Sequence, residues 1–358
     1  MADNIERYPY LSLVTVSRND DHGGNMLARM QMSLMGLLEQ LEKYRIESEL
    51  ILVEWNPPSD RALLKDIIKW PGGLRYCTIR VIVVPPAIHR QYKGHDKRPI
   101  HSAVAPNTGF KRARGQFITQ RATDLIYSDE LVTYIAQKRL KKDQIYRIDR
   151  CEVDRNVVQH NTLKAQLDFC QQNILRIHSL RASPPKNGLP NLHTNASGDF
   201  QLMSRHYWHL LRGYPEIDIV AARVDALLSY MAYAAGIEEL ILNEPMCLYH
   251  IDHDNKFNEI HQKSKSKLEI LLSLPLIPNY ISSKMLSAYH ILAPDRGKVK
   301  VLGVPTLSRY QYDRLRRDIV AGKRSYTFNK DTWGLGEEHL EEFVISAADW
   351  DKEYVATK

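Results

Sequence analysis

Three short apolar runs near the start of the chain restrict its fold more than any other feature. Leu11 to Val16 (LSLVTV), Glu49 to Glu54 (ELILVE) and Tyr76 to Val84 (YCTIRVIVV) are aliphatic and β-branched, and they read as buried strands. Each is closed by breakers: Ser17-Arg18-Asn19-Asp20 with Gly23-Gly24, then Trp55-Asn56-Pro57-Pro58, then Pro85-Pro86. Between the first two, Met26, Met30, Leu34, Leu37, Leu38 and Leu41 recur at helical spacing behind Asn25, a helix-capping residue. Asp60 to Lys69 is a second helical segment. Strand and helix alternating with short connections predict an α/β fold, a mostly parallel sheet flanked by helices.

The same pattern argues against two common nucleotide folds. No GxGxxG follows the first strand, as a dinucleotide-binding unit requires, and no GxxxxGK[ST] phosphate loop occurs. Composition narrows the class further. The 358 residues are 44% hydrophobic, enough for one large core or two smaller ones. No run of about 18 apolar residues is present to span a bilayer, and the first residues lack the basic and apolar regions of a signal peptide. Cys77, Cys151, Cys170 and Cys247 show no CxxC spacing, which points away from zinc or a disulfide framework and toward a cytoplasmic setting. A net charge of +7 suits a phosphate-bearing substrate or an anionic membrane surface. The basic runs Lys138 to Lys142 and Arg314 to Arg317 come without any nucleic-acid-binding motif, so no nucleic acid is expected.

The stretch Asn107 to Glu130 (NTGFKRARGQFITQRATDLIYSDE) is the chemical centre of the sequence. It reads as a helix to Arg114, a stop at Gly115, a strand over Gln116 to Thr119, then Thr123-Asp124 and a new helix start at Ser128. In open α/β sheets ligands sit beyond the carboxyl ends of the strands, where an acid such as Asp124 can hold a metal bound to a diphosphate. Further on, Gln144 to Val153 alternates like a half-buried strand, Asn161 to Leu180 is helical in period, and Ser183 to Gly198 is a loop. Arg205 to Leu211 and Val224 to Ala235 read as helices stopped by glycine, and Lys263 to Leu274 as a Lys-rich amphipathic helix. The loop Ala87 to Pro106 is basic, either solvated or closing over an anion. Trp333-Gly334-Leu335 is either a lid or a tail anchored by a buried Trp.

Taken in order, these landmarks resemble a glycosyltransferase of the GT-A fold, close to the family 2 enzymes that use nucleotide-diphosphate sugars. Thr15-Val16-Ser17-Arg18-Asn19 resembles the family's first strand, and Val53-Glu54 its acidic second-strand end. Asn107, Gly109, Ala113, Arg114 and Gly115 resemble its Asn-x-Gly…Ala-x-Gly signature. Gly198-Asp199-Phe200, Gly213-Tyr214-Pro215-Glu216, Val224-Asp225 and Tyr249-His250…His253 resemble its later acceptor-side elements. The likeness covers residues 10 to 254. It implies a catalytic unit over 1–254, with the nucleotide-sugar half at 10–130 and the acceptor half at 131–254, and a helical C-terminal extension over 255–358.

The resemblance also implies roles. Ser17, Arg18, Asn19, Glu54, Asn107, Arg112, Arg114 and Thr123 would bind the nucleotide sugar. Arg112 and Arg114 diverge at i, i+2, so only one of them is expected to aim at phosphate. Asp124, with His250 or His253, would hold a divalent cation, Mn²⁺ or Mg²⁺, the imidazoles favouring Mn²⁺. The family supplies two acids here, and Thr123 stands where a further carboxylate is usual; basic side chains neutralising the diphosphate without metal are the alternative. Asp225 would be the base for the acceptor hydroxyl, with Asp199 as a second candidate. The implied reaction moves a hexose to a saccharide acceptor with inversion. A lipid-linked acceptor on an anionic membrane is an expectation from charge alone. A nucleotidyltransferase, or a non-catalytic nucleotide-sugar-binding protein on the same fold, are the competing readings.

Overall fold

The chain forms a mostly parallel sheet flanked by helices. The computed structural model describes residues 8–180, 188–218, 223–253, 285, 300–301, 304–305, 307 and 309–352. Strands β1 (Leu11–Ser17), β2 (Ser48–Trp55) and β3 (Cys77–Val84) lie side by side and parallel. β2 and β3 are buried from end to end, as a sheet covered on both faces requires. Helix α1 (Met26–Lys43) buries the whole apolar stripe read from the sequence. Its capping differs from expectation. Asn25 is left-handed with no side-chain cap, and Asp21 Oδ1 accepts from the Met26 N–H at 2.9 Å instead. Helix α2 (Leu64–Ile67) is a single turn, shorter than the segment expected over Asp60 to Lys69.

The opposite face is covered, after the short α3 (Pro86–His89), by α4 (Val104–Arg112). A Cβ at Gly109 would stand 2.4 Å from Val14 and 3.2 Å from Val53, so the helix backbone rests directly on β1 and β2. The glycine of the Asn-x-Gly signature is therefore a packing requirement. Strand β4 (Phe117–Gln120) joins β1 in parallel, and β5 (Leu125–Tyr127) follows. Helix α5 (Asp129–Ala136) begins at Ser128, whose Oγ accepts from Leu131 N–H at 3.2 Å.

Beyond it, the segment expected as one strand over Gln144 to Val153 divides at Asp149. Its first part, β6 (Gln144–Ile148), and second part, β7 (Arg150–Val153), belong to different sheets. Helix α6 (Leu163–Gln172) stops short of the helical reading to Leu180, and β8 (Ile174–His178) pairs with β7 instead. Ile174, Leu175 and Ile177 suit a strand, and pairing to β7 overrides the helical period of that stretch. The remaining elements are β9 (Leu202–Ser204), α7 (Arg205–Leu211), α8 (Val224–Ala234), β10 (Glu238–Leu242) and β11 (Leu248–Ile251).

The described part of the C-terminal segment holds β12 (Lys300–Val301), β13 (Val304–Pro305), α9 (Arg309–Val320) and β14 (Glu341–Ser346). Helix α9 packs on α8, with Arg316 donating to the Tyr230 hydroxyl at 3.0 Å. β14 was not anticipated: it returns to the central sheet and pairs antiparallel with β3. Trp333 is buried, an anchor rather than a lid. The Lys-rich helix expected over Lys263 to Leu274 lies outside the described residues.

The central sheet has the order β10-β6-β9-β4-β1-β2-β3-β14, with β9 and β14 antiparallel to their neighbours. A second sheet, β5-β11-β7-β8, stands beside it. The loops that leave the carboxyl ends of β1, β2 and β4 share one rim with this second sheet.

Candidate active site

The rim begins with Ser17 and Glu54, which are register partners at the ends of β1 and β2. The Ser17 hydroxyl meets only Met26 Sδ, at 3.8 Å. Arg18 donates to the Asn56 carbonyl at 2.6 Å and pairs with Asp20 at 2.8 Å, while Asn19 donates to the Ala62 carbonyl at 2.8 Å. These bonds tie the loop after β1 to the loop after β2. Glu54 is fully buried; its Oε2 accepts from Leu64 N–H at 2.8 Å, and its Oε1 has no hydrogen-bond partner among the described residues. Burial pushes its carboxyl up to about 7.

A denser cluster surrounds Asp124, in the turn between β4 and β5. Strand β11 pairs antiparallel with β5, which sets His250 opposite Leu125, and Ile251 N–H closes the ladder on the Asp124 carbonyl at 3.1 Å. His250 Nε2 lies 3.5 Å from Asp124 Oδ1, and His253 Nε2 lies 3.3 Å from Oδ2. One ligand atom from each of the three residues falls within 4.8 Å of the others, close enough to serve one ion. Both histidines therefore converge on the carboxylate, although a spacing of three does not by itself require it.

The surroundings fix these side chains. His250 sits opposite Glu152 in the parallel β11–β7 ladder, and its Nδ1 is 2.7 Å from Glu152 Oε2. A carboxylate on one imidazole nitrogen orients the other toward a metal, the usual arrangement around ligating histidines. Glu152 also meets Arg150 and, at 3.1 Å, His178 Nε2. Arg150 bridges on to Asp199 at 2.5 Å. Burial alone would raise Asp124, but His250, His253 and Arg29 outweigh it and hold the carboxyl below its ordinary range. His250 is lowered by burial and raised more by Glu152 and Asp124, for a net shift upward. Burial likewise opposes Glu152, and His250, Arg150 and His178 bring it down to about 2.

Arg29 of α1 lies 3.4 Å from Asp124 Oδ2 and also donates to the carbonyls of His22, Gly23 and Gly24. It pins the glycine loop against the cluster. Gly23 has φ +73°, and a Cβ there would stand 2.7 Å from His253 Nδ1, so only glycine fits. Thr123 is buried just before Asp124. Arg121, 1% exposed, donates to Ser33 Oγ and the Leu125 carbonyl and stands over the Tyr127 ring at 5.7 Å, while its Nε and Nη1 have no hydrogen-bond partner among the described residues.

Asp225 stands at the start of α8. Its Oδ2 is placed where a Cβ on Gly198 would be 3.2 Å away, so the Gly198-Asp199 turn lies against it. Burial raises the Asp225 carboxyl; the Ala226 N–H and the Arg147 charge offset this only in part, and Asp199 adds to it. The turn is held from behind by buried Arg147, which donates to the carbonyls of His193 and Asn195 at 2.9 Å each and of Ser197 at 3.4 Å. Asp199 thus connects the two halves of the site, through Arg150 to the Asp124 cluster and through its turn to Asp225.

Three residues expected at the nucleotide do not reach this rim. Asn107 is a staple: its amide donates to the Tyr214 carbonyl and accepts from Tyr214 N–H, both at 2.8 Å. Arg112 donates to the carbonyls of Gly334 and Leu335 at 2.7 Å each. Arg114 is paired with Glu49 at 3.1 Å and Asp351 at 2.7 Å. The reason is directional. Arg112 and Arg114 precede β4 and so lie at its amino end, whereas Asp124 follows its carboxyl end.

Arg29, Gly23 and Glu152 belong to no motif that would name them from the sequence as partners of this cluster. What signal there is lies in an arginine inside an apolar helical stripe, and an Arg-x-Glu pair on one face of a short strand.

No protein-family model matches the chain, and no curated protein sequence matches it. Among solved structures it aligns with S. aureus TarS 1–349 at 14% identity and a TM-score of 0.45, over 88% of this chain and 82% of that one. The same protein in complex with UDP-GlcNAc gives 13% and 0.46, over 87% and 81%. Its complex with UDP gives 13% and 0.42, over 82% and 75%. At these values the likeness assigns neither a family nor an activity to this chain.

Proposed function

We propose that the chain is a glycosyltransferase that moves a hexose from a nucleotide-diphosphate sugar to a saccharide acceptor with inversion. The observation that carries this reading is the continuous polar path on one rim, from Asp124 with His250 and His253, through Glu152 and Arg150, to Asp199 beside Asp225. One end of that path suits a cation and a leaving group, and the other holds a carboxylate of raised proton affinity.

The donor set of one carboxylate and two imidazoles, one of them oriented by Glu152, fits a divalent ion of the Mn²⁺ type, with phosphate oxygens left to complete its shell. Such an ion would supply positive charge to the departing diphosphate. Glu54, which ends β2 beside Ser17 and whose Oε1 has no partner among the described residues, would hold a nucleotide hydroxyl, such as that of a ribose, once the loops over this buried carboxyl part. Asp225 takes the proton of the acceptor hydroxyl as its oxygen bonds to the sugar carbon and the bond to the diphosphate breaks. Arg29, already on Asp124, favours a second version in which arginine supplies the charge without metal.

Four unpaired, buried cysteines support a reducing, cytoplasmic setting. Among the described residues no helix is long and apolar enough to cross a membrane. Thermal shift with a panel of nucleotide sugars, UDP-GlcNAc among them, with and without Mn²⁺, tests the reading, followed by assay of donor hydrolysis. Stabilisation by a nucleotide sugar and turnover of it are expected; no stabilisation by any of them sinks the proposal. Binding without turnover, unchanged in Asp225→Asn, leaves a binding protein.

A further inference from the structure

The two arginines that do not reach the Asp124 rim lie in the wall of a cavity at the other end of the sheet. Its volume is about 660 Å³, and it is bounded by the end of α4, the connection into β4, Lys142 and the first turns of α7. Among the described residues no carboxylate lines it. Lys111 contacts the Asp331 carbonyl at 3.4 Å and stands over the Trp333 ring at 5.0 Å. Arg205 donates to the Arg114 carbonyl at 3.2 Å and stacks on Tyr8 at 4.7 Å. Arg112 is bonded to carbonyl oxygens and lies within the field of Glu342 and Glu338. Among the described residues none of these three, nor exposed Lys142, forms an ion pair with a carboxylate. Only Arg114 is neutralised, by Glu49 and Asp351.

We propose that this cavity is a second site, separate from the Asp124 rim, for a ligand carrying a diphosphate or similarly clustered phosphate groups. Lys111, Lys142 and Arg205, which form no ion pair with a carboxylate among the described residues, gather around a concave space and create a field that phosphate oxygens satisfy. The volume suits a small molecule or a headgroup rather than a duplex. His209, in the same wall, is pushed down to about 4, first by burial and then by Lys111, Arg205 and His206. A phosphate is available from two sources, a free polyphosphorylated molecule or an anionic lipid headgroup. Tyr8, an exposed aromatic side chain stacked on Arg205, would accompany the latter.

The test uses pyrophosphate in EDTA, measured by calorimetry on the whole chain, and flotation with phosphatidylcholine vesicles with and without phosphatidic acid. The variant combines Lys142→Glu and His206→Glu, both exposed side chains. Wild type is expected to bind pyrophosphate or the phosphatidic acid vesicles, and the double variant to lose about tenfold or more of that affinity. Asp124→Asn is expected to bind as wild type does. Pyrophosphate binding alone assigns a free ligand, and vesicle binding alone assigns a headgroup. Binding to neither, or binding that the double variant leaves unchanged, overturns the proposal. The nucleotide-sugar thermal shift of the double variant is expected to match wild type, so failure here leaves the rim reading untouched.

Discussion

The two ends of the central sheet are built from the same kinds of side chain and differ in how completely those side chains are satisfied. At the amino end, buried Glu49 accepts from Ser12 Oγ and Arg114 N–H at 2.6 Å each, from Arg80 at 2.6 Å and from Arg114 Nε at 3.1 Å. Arg80 and Arg114 each hold a second acid, Glu342 and Asp351. Every oxygen of that carboxylate is used, and although burial opposes it, Arg80 and Arg114 keep Glu49 ionised. At the carboxyl end, by contrast, one oxygen of Glu54 and two nitrogens of Arg121 have no hydrogen-bond partner among the described residues, and Asp225 is shifted upward by burial. A closed network stabilises a fold, whereas an open one leaves valence for a ligand.

If that contrast is right, mutations at the two ends should separate activity from stability. The largest effect is expected for Asp225→Asn, which removes the proposed base. Turnover of the donor with its acceptor should fall about 10³-fold, close to 4 kcal/mol of barrier, with the melting temperature nearly unchanged. Glu49→Ala should do the reverse. It leaves buried Arg80 and half-buried Arg114 with one acid each and should cost about 3 kcal/mol in urea unfolding, while the folded fraction keeps its turnover number. Loss of turnover in both variants would erase the distinction between the ends.

How much of this could be read from the sequence follows the same divide. Strands β1 to β3 and the stripe of α1 were legible because their apolar periodicity is local. Asp124, His250, His253, Asp199 and Asp225 could be named by resemblance, and the structure brings them onto one rim. What stayed hidden depends on register and direction. The pairing of His250 with Glu152 needs the β11–β7 ladder, which exists only because Gln144 to Val153 changes sheets at Asp149. Arg112 and Arg114 were misplaced for a related cause. Their distance from Asp124 along the sequence is short, but a strand lies between and carries the chain to the opposite edge. A helical period likewise concealed β8, and β14 became visible only through its pairing with β3.

Glu54 supplies a pH-dependent form of the comparison. Burial holds its folded carboxyl at about 7, above the ordinary glutamate value of 4.5. A raised acid contributes stability that is fully present below the unfolded value and is lost as pH rises through the folded one. Stability should therefore decline between about pH 4.5 and 7 by up to about 3 kcal/mol from this group. Glu54→Gln should flatten that slope in unfolding curves taken at a series of pH values. An unchanged slope would mean that Glu54 is already ionised and partnered, and the rim less open than it stands here.

The smallest expected effect is the most direct comparison, because it uses two serines of one strand. Ser12 and Ser17 are both buried on β1, at its amino and carboxyl ends. Ser12 Oγ donates to Glu49 and accepts from Gly115 N–H at 2.8 Å, so Ser12→Ala leaves a buried N–H without an acceptor. A loss of about 1–2 kcal/mol should follow. Ser17 Oγ has only a sulfur at 3.8 Å, and Ser17→Ala should stay within about 0.5 kcal/mol of wild type. The order reverses for ligand: Ser17→Ala should weaken nucleotide-sugar binding in the thermal-shift panel, and Ser12→Ala should not. Equal stability losses at the two serines would show that the rim is as closed as the amino end, and the polar path from Asp124 to Asp225 would then be a structural network rather than a site.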